Sequence, residues 1–253
     1  MKLCRYLHKG QTSYGRIEGD FIETLSGAPF EGVKPTGDKV PLSEARLLMP
    51  VLPPKIIGVG LNYRKHAEEM KKAIPEKPLL FLKPNTAAIG PGSPIFLPRE
   101  SSEVHHEAEL AVVIGKRARR ITPEQAREHI LGYTCFVDVT ARDLQRAEVQ
   151  YTRCKGFDTF APFGPHIETD LDPGNLKVRG YLNGELKQEG STSDMIVDVF
   201  ALVSFVSLGM TLLPGDVLTT GTPPGVGPLK DGDEFEVEIE GIGTLKNPVR
   251  AEE

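Results

Sequence analysis

The feature that most constrains how this chain can fold is the presence of acidic residues inside an apolar strand pattern. Residues 104–114 alternate as a β-strand does, and strand side chains point to opposite faces in turn, so Glu107 and Glu109 share a face. Asp138 lies in a second strand-like run, residues 133–140, between apolar neighbours. Because stripping a carboxylate of water is costly, we expect Asp138 to have a partner.

These acids allow three interpretations. Three oxygen donors that converge from two strands would suit a hard divalent cation such as Mg²⁺, Mn²⁺ or Ca²⁺. Alternatively, Glu107 and Glu109 form the solvated face of a strand, and Asp138 closes a salt bridge. A zinc hydrolase could instead use His105, His106 and Glu107, although adjacent strand histidines point to opposite faces and do not readily reach one ion.

Size and composition fit a globular protein with one large domain, or with one large and one small domain. The chain has 253 residues, of which 39% are apolar and 26% charged, and its net charge of −5 favours neither nucleic acid nor an acidic membrane as a partner. The N-terminus has no apolar signal core, and the apolar run at 199–213 is too short to span a bilayer. The three cysteines form no CxxC pair, so we expect a reducing cytoplasm and neither disulfides nor structural zinc.

Turn residues divide the chain near residue 52. Residues 1–52 predict a small β-rich segment, with a hairpin whose two-residue turn is Gly19-Asp20. Residues 53–253 would form the main domain, which begins with a short buried strand at 55–60. That strand contains a Gly-x-Gly pattern, but no third glycine follows at the required spacing. The sequence Gly-Lys followed by Ser or Thr does not occur in the chain either. A dinucleotide site and a phosphate-binding loop are therefore both excluded.

Several helices and turns of the main domain follow from local signals. Thr122, Pro123 and Gln125 predict a capped helix that continues to about residue 130. The run at 198–208 predicts a buried helix, and Asn183-Gly184 predicts a hairpin turn. Residues 234–240 alternate as a strand with one solvated face.

A predicted helix from Arg64 to Lys72 carries a candidate general base. His66 and Glu69 are three residues apart and therefore share a helix face. A carboxylate beside an imidazole raises its basicity and fixes its tautomer, as a general base requires. The alternative is a solvated surface helix held by ion pairs. Farther along the chain, the planar fork of Arg142 would suit a substrate carboxylate.

Six motifs together resemble the fumarylacetoacetate hydrolase family, in particular its short members with a single catalytic domain. The matching stretches occur in the family's order: GLNYRKHAEE at 60–69, FLKP at 81–84, HEAEL at 106–110, DVTARDLQ at 138–145, KGFD at 155–158 and TGTP at 220–223. The resemblance implies a β-rich α+β fold with a rolled mixed sheet, commonly assembled as a homodimer. It also implies that Glu107, Glu109 and Asp138 hold Mg²⁺ or Mn²⁺, with Ca²⁺ as a further candidate.

The resemblance assigns roles to residues around this metal site. His66 and Glu69 would form a water-activating dyad on a mobile lid helix, and Lys155 would polarise the substrate or stabilise its enolate. The substrate site would be formed by further residues from three of the motifs, namely Lys83, Arg142, Gln145, Gly221 and Thr222.

The chemistry implied is metal-dependent and acts on 2-oxo or 2,4-dioxo acids through a chelated enolate. We expect C–C bond hydrolysis of an acylpyruvate resembling fumarylpyruvate, because hydrolysis needs a base to activate water and the dyad supplies one. Alternatives with the same enolate chemistry are 2-hydroxyhepta-2,4-diene-1,7-dioate isomerisation in aromatic catabolism, decarboxylation of 5-carboxymethyl-2-oxo-hex-3-ene-1,7-dioate, and oxaloacetate decarboxylation. A protein that binds 2-oxo acids without turnover is the remaining alternative.

Overall fold

The computed structural model describes residues 1–71 and 73–252, in which strands predominate over helices. The strands, numbered in chain order, are β1 Lys2–His8, β2 Gln11–Glu18, β3 Phe21–Leu25, β4 Pro35–Pro41, β5 Arg46–Leu48, β6 Ile56–Gly60, β7 Leu79–Lys83, β8 Ala88–Ile89, β9 Ile95–Leu97, β10 Val104–His106, β11 Ala108–Ile114, β12 Ile130–Val137, β13 Thr140–Ala141, β14 Ala161–Glu168, β15 Lys177–Leu182, β16 Glu185–Ser191, β17 Val217–Thr219, β18 Gly227–Pro228, β19 Glu234–Ile239 and β20 Gly243–Ala251. The α-helices are α1 Arg64–Glu69, α2 Pro123–His129, α3 Arg142–Ala147, α4 Thr152–Gly156 and α5 Val199–Gly209.

One large mixed sheet runs through the molecule in the order β4-β3-β2-β1-β14-β12-β11-β17-β6-β7. Most neighbours are antiparallel, whereas β17 and β6 are parallel. A five-stranded sheet, β16-β15-β19-β20-β9, packs against it. A small three-stranded sheet, β13-β10-β18, lies next to two acidic residues: β10 ends just before Glu107, and β13 begins two residues after Asp138. The predicted β-rich α+β class with mixed sheets is confirmed.

The main core fills the space between the large sheet and the five-stranded sheet. Leu110 and Val112 from β11 face Val178 and Phe235 from the second sheet, and all four are fully buried. Helix α5 contributes its apolar residues to the same core. Alternate β11 residues Ala111 and Val113 belong to a separate core on the other side of the sheet. Strand β11 is therefore buried on both faces, and an acid placed on it must find its partner inside the protein.

Local sequence signals for hairpins and helix caps are confirmed. Strands β2 and β3 pair directly across Gly19-Asp20, and β15 and β16 pair across Asn183-Gly184. Helix α2 begins with the predicted capping box of Thr122 and Gln125. Helix α5 begins after Asp198, whose side chain accepts a hydrogen bond from the Ala201 backbone N–H at 2.9 Å. These features depend on interactions within a few residues, so the sequence alone specifies them.

Two predicted elements are shorter than expected. The strand predicted over 104–114 is interrupted at Glu107, so that β10 and β11 belong to different sheets. The helix predicted from Arg64 ends at Glu69, and Lys72 lies outside the described residues. Both differences occur beside the candidate site, where side-chain contacts across the fold override the periodic pattern.

The N-terminal strands are continuous with the large sheet rather than set apart from it. Leu3 of β1 pairs with Ile167 of β14, and β5 folds back onto β1. The domain boundary near residue 52 stays a prediction. No helix within residues 1–71 and 73–252 combines the length and the apolar character needed to cross a membrane.

His166 of β14 makes folding sensitive to acid. It is 6% exposed, and its Nε2 has no hydrogen-bond partner among residues 1–71 and 73–252. Burial lowers the pKa of His166 from 6.5 to about 4. Between those pH values the unfolded chain takes up a proton that the folded protein does not, so the free energy of unfolding falls as the pH falls.

We expect His166→Gln to reduce this acid sensitivity. Between pH 6.5 and 4 the variant should lose less unfolding free energy than the wild type, by up to about 3 kcal/mol. Urea denaturation at several pH values measures this difference. Parallel curves for the two proteins would contradict the assignment.

Candidate metal and active site

The three predicted metal ligands converge near the break between β10 and β11 and the end of β12. Glu107 occupies the break between β10 and β11, and Asp138 follows the last residue of β12. The Asp138 backbone N–H donates to the Glu107 carbonyl at 2.9 Å, which aligns the two breaks. Oxygen atoms of Glu107, Glu109 and Asp138 lie within 4.8 Å of one another, and all three residues are buried.

Buried cations neutralise two of these carboxylates. Lys155 Nζ lies 3.0 Å from Glu107 Oε2 and 2.5 Å from Asp138 Oδ2. Arg142 pairs with Glu107 Oε1, and Lys83 Nζ donates to Asp138 Oδ1 at 2.5 Å. Burial alone would raise the pKa of Glu107, but the charges of Lys155 and Arg142 outweigh it and hold that pKa well below its usual range.

Lys155 and Lys83 differ in the direction of their pKa shifts and in whether they line the cavity. Burial would lower the pKa of Lys155, but the charges of Asp138 and Glu107 outweigh it and raise that pKa. Lys83 is 1% exposed and also donates to the Val139 carbonyl, and burial lowers its pKa. It is not among the residues that line the cavity described below. Direct substrate binding by Lys83 stays a prediction, whereas its contact with Asp138 is present in the fold.

Glu109 differs from the other two carboxylates because it forms no salt bridge within the described part of the chain. Its Oε2 accepts a hydrogen bond from the Gly221 backbone N–H at 2.8 Å. Gly221 has a φ of 89°, and a Cβ atom there would lie 2.8 Å from Asn62 Cβ, so this close approach requires glycine. Burial and the charges of Asp138 and Glu107 raise the pKa of Glu109 well above its usual range.

This donor set fits a divalent cation. Carboxylate oxygens within 4.8 Å of one another can share one ion, since bonds from Mg²⁺ or Ca²⁺ to oxygen are about 2.0–2.6 Å long. A cation there would also favour the charged form of Glu109, which burial and the neighbouring carboxylates otherwise disfavour. Glu107, Glu109 and Asp138 would hold it, and oxygen-only ligands favour Mg²⁺, Mn²⁺ or Ca²⁺ over zinc.

The two histidines do not join the carboxylates, so the zinc interpretation was wrong about the geometry. His105 contacts Glu103 at 3.1 Å. His106 stacks on Phe235 with ring centroids 4.2 Å apart, and its Nδ1 donates to Gln188 Oε1 at 2.9 Å. Burial lowers the pKa of His106 to about 4, which keeps the ring neutral.

The predicted dyad is present on α1. His66 Nδ1 lies 2.9 Å from Glu69 Oε2, so the carboxylate accepts a hydrogen bond from the Nδ1–H group. This leaves Nε2 as the nitrogen that can take up a proton. His66 is 7% exposed and lines the cavity. Glu69 Oε1 also accepts the Gly225 backbone N–H at 2.9 Å. The loop after β17 therefore fixes the carboxylate that orients the imidazole.

Thr222 is held by a residue that sequence reasoning missed. Its hydroxyl donates to the Ala108 carbonyl at 2.9 Å and accepts from Gln188 Nε2 at 2.8 Å. Gln188 is fully buried, and its Oε1 accepts the Ala108 backbone N–H. It thus connects the Thr222 loop to the backbone between Glu107 and Glu109. A single glutamine in a hairpin strand gives no sequence signal for this role.

A cavity of about 220 Å³ opens onto the carboxylates. Glu107, Glu109, Arg142 and Lys155 form its polar end, and Arg142 also donates to Gln145 Oε1 at 2.7 Å. The cavity is lined further by His66, Gln145 and Thr222, and by an apolar wall that sequence reasoning missed, consisting of Val59, Leu61, Met70, Pro75, Leu79, Phe81 and Tyr151.

We expect Glu109→Gln to weaken Mn²⁺ binding without destabilising the metal-free protein. The amide keeps an oxygen for Gly221 and replaces a carboxyl group whose charged form burial disfavours, so the free energy of unfolding should not fall. Loss of a direct ligand should weaken Mn²⁺ binding by more than the about 10- to 100-fold typical of an outer-shell partner. Calorimetric titration with Mn²⁺ and urea denaturation measure the two effects. Glu103→Gln, outside the cluster, is the control, and unchanged Mn²⁺ affinity in Glu109→Gln would overturn the ligand assignment.

Family models match most of this chain. The family model "Fumarylacetoacetate (FAA) hydrolase C-terminal" matches residues 55–250, and "Rv2993c-like, N-terminal" matches residues 1–50. Oxaloacetate tautomerase FAHD2B of Bos taurus is 44% identical over 223 residues, which cover 83% of this chain and 71% of the bovine protein.

Solved structures extend the similarity to the whole chain. The 2-hydroxyhepta-2,4-diene-1,7-dioate isomerase of Mycobacterium marinum is 46% identical, with a TM-score of 0.94 over 100% of this chain and 99% of that one. The maleylpyruvate hydrolase of Sphingobium sp. SYK-6, solved with manganese(II) and pyruvate, is 30% identical, with a TM-score of 0.83 over 100% of both chains. These matches confirm the relationship predicted from the six motifs: the chain belongs to the fumarylacetoacetate hydrolase family of enzymes.

Proposed function

We propose that the protein is a metal-dependent hydrolase that cleaves the C–C bond of acylpyruvates. The observation that carries the proposal is the His66–Glu69 pair, which lies on the same cavity as the buried carboxylates. A base beside a polar substrate site is what activation of water requires. A protein that binds 2-oxo acids without turnover would not need such a pair.

A divalent ion on the three carboxylates would act as a Lewis acid toward the carboxylate and keto oxygens of a 2-oxo acid. We propose Mg²⁺ as this ion, with Mn²⁺ as the alternative supported by the manganese in the Sphingobium relative. Around the site the three carboxylates are matched in number by Lys83, Lys155 and Arg142. The charge of an added ion would therefore be balanced by the anionic substrate and by the negative charge that develops on it.

The side chains divide the reaction between them. His66 Nε2 takes a proton from water, and the resulting hydroxide attacks the C4 carbonyl carbon of the acylpyruvate. The C3–C4 bond breaks, its electron pair remains on pyruvate as the enolate, and C3 then takes up a proton. The products are a carboxylic acid and pyruvate. Lys155 places a positive charge beside the forming enolate, and Arg142 with Gln145 orients the substrate carboxylate.

Tautomerisation of a 2-oxo acid is the second candidate. It is favoured by the similarity to the bovine oxaloacetate tautomerase and to the mycobacterial isomerase. It needs proton transfer at C3 but no activated water, so the same cavity would serve it with a smaller role for the dyad. Decarboxylation of oxaloacetate would use the same enolate stabilisation.

A substrate panel tests the proposed function and separates the candidates. Acetylpyruvate, fumarylpyruvate, oxaloacetate and 2-hydroxyhepta-2,4-diene-1,7-dioate are each assayed with Mg²⁺ and with chelator. We expect hydrolysis of acylpyruvates that chelator abolishes. Turnover that chelator leaves unchanged would overturn the proposed metal dependence, and isomerisation without hydrolysis would favour the second candidate.

We expect His66→Ala to impair hydrolysis far more than tautomerisation. Loss of a positioned base typically costs about 10²- to 10⁴-fold in kcat, whereas tautomerisation should fall by less than about tenfold. Steady-state assays with acetylpyruvate and oxaloacetate measure both. Glu68→Ala, an exposed neighbour on α1, is the control. Equal losses in the two reactions would remove the case for His66 as the water-activating base.

We also propose that the protein is a cytoplasmic homodimer. The three cysteines are free and buried, which suits a reducing compartment. Strand β9 at the edge of the five-stranded sheet carries Phe96, which is 41% exposed, and an exposed apolar edge is a natural surface for a second copy. Sedimentation equilibrium should give twice the chain mass, and a monomer at micromolar concentration would contradict the assembly.

A further inference from the structure

We propose that the site selects acylpyruvates with an uncharged, apolar acyl tail and discriminates against substrates that carry a second carboxylate beyond C4. The proposal rests on the function proposed above and deepens it. It differs from the expectation of a fumarylpyruvate-like substrate, because fumarylpyruvate carries a second carboxylate at the end of its acyl tail.

Strand β7 runs outward from the carboxylates and shows how the cavity changes along its length. Lys83, Phe81 and Leu79 alternate on one face of this strand, with about 7 Å between successive side chains of the same face. Lys83 contacts Asp138, Phe81 lies in the cavity wall, and Leu79 is at the mouth. A substrate anchored at the carboxylates therefore extends past Phe81 and toward Leu79.

Phe81 marks the change from polar to apolar lining. Lys155 Nζ lies 5.0 Å from the centre of the Phe81 ring, and Tyr151 packs edge-on against the same ring at 5.8 Å. Beyond it, Met70 and Pro75 join Leu79 around the outer part of the cavity. The polar groups of the cavity are concentrated at the inner end, where they surround the 2,4-dioxo unit.

The glycines of β6 build this wall. Gly58 pairs with Phe81, and a Cβ atom at Gly58 would lie 2.2 Å from the Phe81 ring. Gly60 pairs with Leu79, and a Cβ atom there would lie 3.3 Å from Leu79 Cδ2. The Gly-x-Gly pattern that resembles a nucleotide motif therefore makes room for two apolar side chains of the cavity.

Within the described residues, the cations that line this cavity are not free to meet a remote carboxylate. The lining contains two permanently charged cations, Arg142 and Lys155, and both are paired with Glu107 or Asp138 at the inner end. A carboxylate at C7 or C8 would be placed against Leu79, Met70 and Pro75 without a partner. An unpaired charge against these apolar side chains is unfavourable, whereas contact of a methyl group with them is favourable. A carboxylate at C4, as in oxaloacetate, stays at the polar end and is not affected.

Two substrates of equal length test the proposal. Butanoylpyruvate (2,4-dioxoheptanoate) and succinylpyruvate (2,4-dioxoheptanedioate) differ in one feature, because C7 is a methyl group in the first and a carboxylate in the second. We expect kcat/KM to be about 10- to 100-fold higher for butanoylpyruvate, since an apolar contact is exchanged for an unpaired charge. Equal values, or a preference for succinylpyruvate, would overturn the proposal.

A charge introduced at the mouth should change this preference. Leu79→Lys places a cation beside C7, so the ratio of kcat/KM for succinylpyruvate to that for butanoylpyruvate should rise at least about fivefold. Leu82→Lys is the matched control: Leu82 is on the same strand with the same 48% exposure, but it does not line the cavity. A similar rise in both variants would indicate a general electrostatic effect and overturn the assignment to Leu79.

Binding measurements separate failure of this proposal from failure of the proposed function. If no acylpyruvate is turned over, calorimetry with 2-oxoheptanoate and 2-oxoheptanedioate in the presence of Mg²⁺ still measures the tail preference. We expect the wild type to bind 2-oxoheptanoate more tightly than 2-oxoheptanedioate, and this difference in affinity should be reduced or reversed in Leu79→Lys. That result would support the apolar wall even if the reaction is not hydrolysis. Tighter binding of 2-oxoheptanedioate overturns it, whatever reaction the protein catalyses.

Discussion

The structure depends on a buried group of opposite charges. Asp138 and Glu107 are enclosed by the protein, and Lys83, Lys155 and Arg142 lie against them. Removing one partner from such a group leaves a buried charge without compensation, which typically costs about 3–5 kcal/mol. The positions of β7, β12 and α4 are therefore coupled through these contacts. Glu109 has no cationic side chain as a partner in the described part of the chain, and an added cation therefore fits best beside it.

The strand breaks are what make this arrangement possible. A continuous strand through residues 104–114 would keep Glu107 in register with its neighbours. The interruption places Glu107 between two sheets, and the backbone bond from Asp138 to Glu107 fixes the break of one strand against the end of another. An irregular backbone at this point is stable because the paired side chains hold it. The local pattern of the strand is thus overridden at the site that carries the chemistry.

The cavity combines a rigid inner end with an outer wall of apolar side chains. Gln188 ties the Thr222 loop to the backbone beside the carboxylates, and Glu69 ties α1 to Gly225. The imidazole of His66 is therefore positioned by the same loop that contacts Glu109. The outer wall carries no such network, because apolar packing does not require directional partners. Chemistry and tail selection consequently belong to different parts of one cavity.

The sequence by itself determined the features that depend on neighbours along the chain. The hairpin turns at Gly19-Asp20 and Asn183-Gly184, the cap at Thr122 and the buried helix after Asp198 follow from local geometry and are present. The six motifs identified the family, and the period-two spacing indicated the acidic cluster. The tertiary structure decided which charges meet, since Lys83 and Asp138 are 55 residues apart, and it decided the roles of Gln188 and of the apolar wall. Such contacts depend on how distant strands pack together, and no periodic pattern in one segment of the chain specifies them.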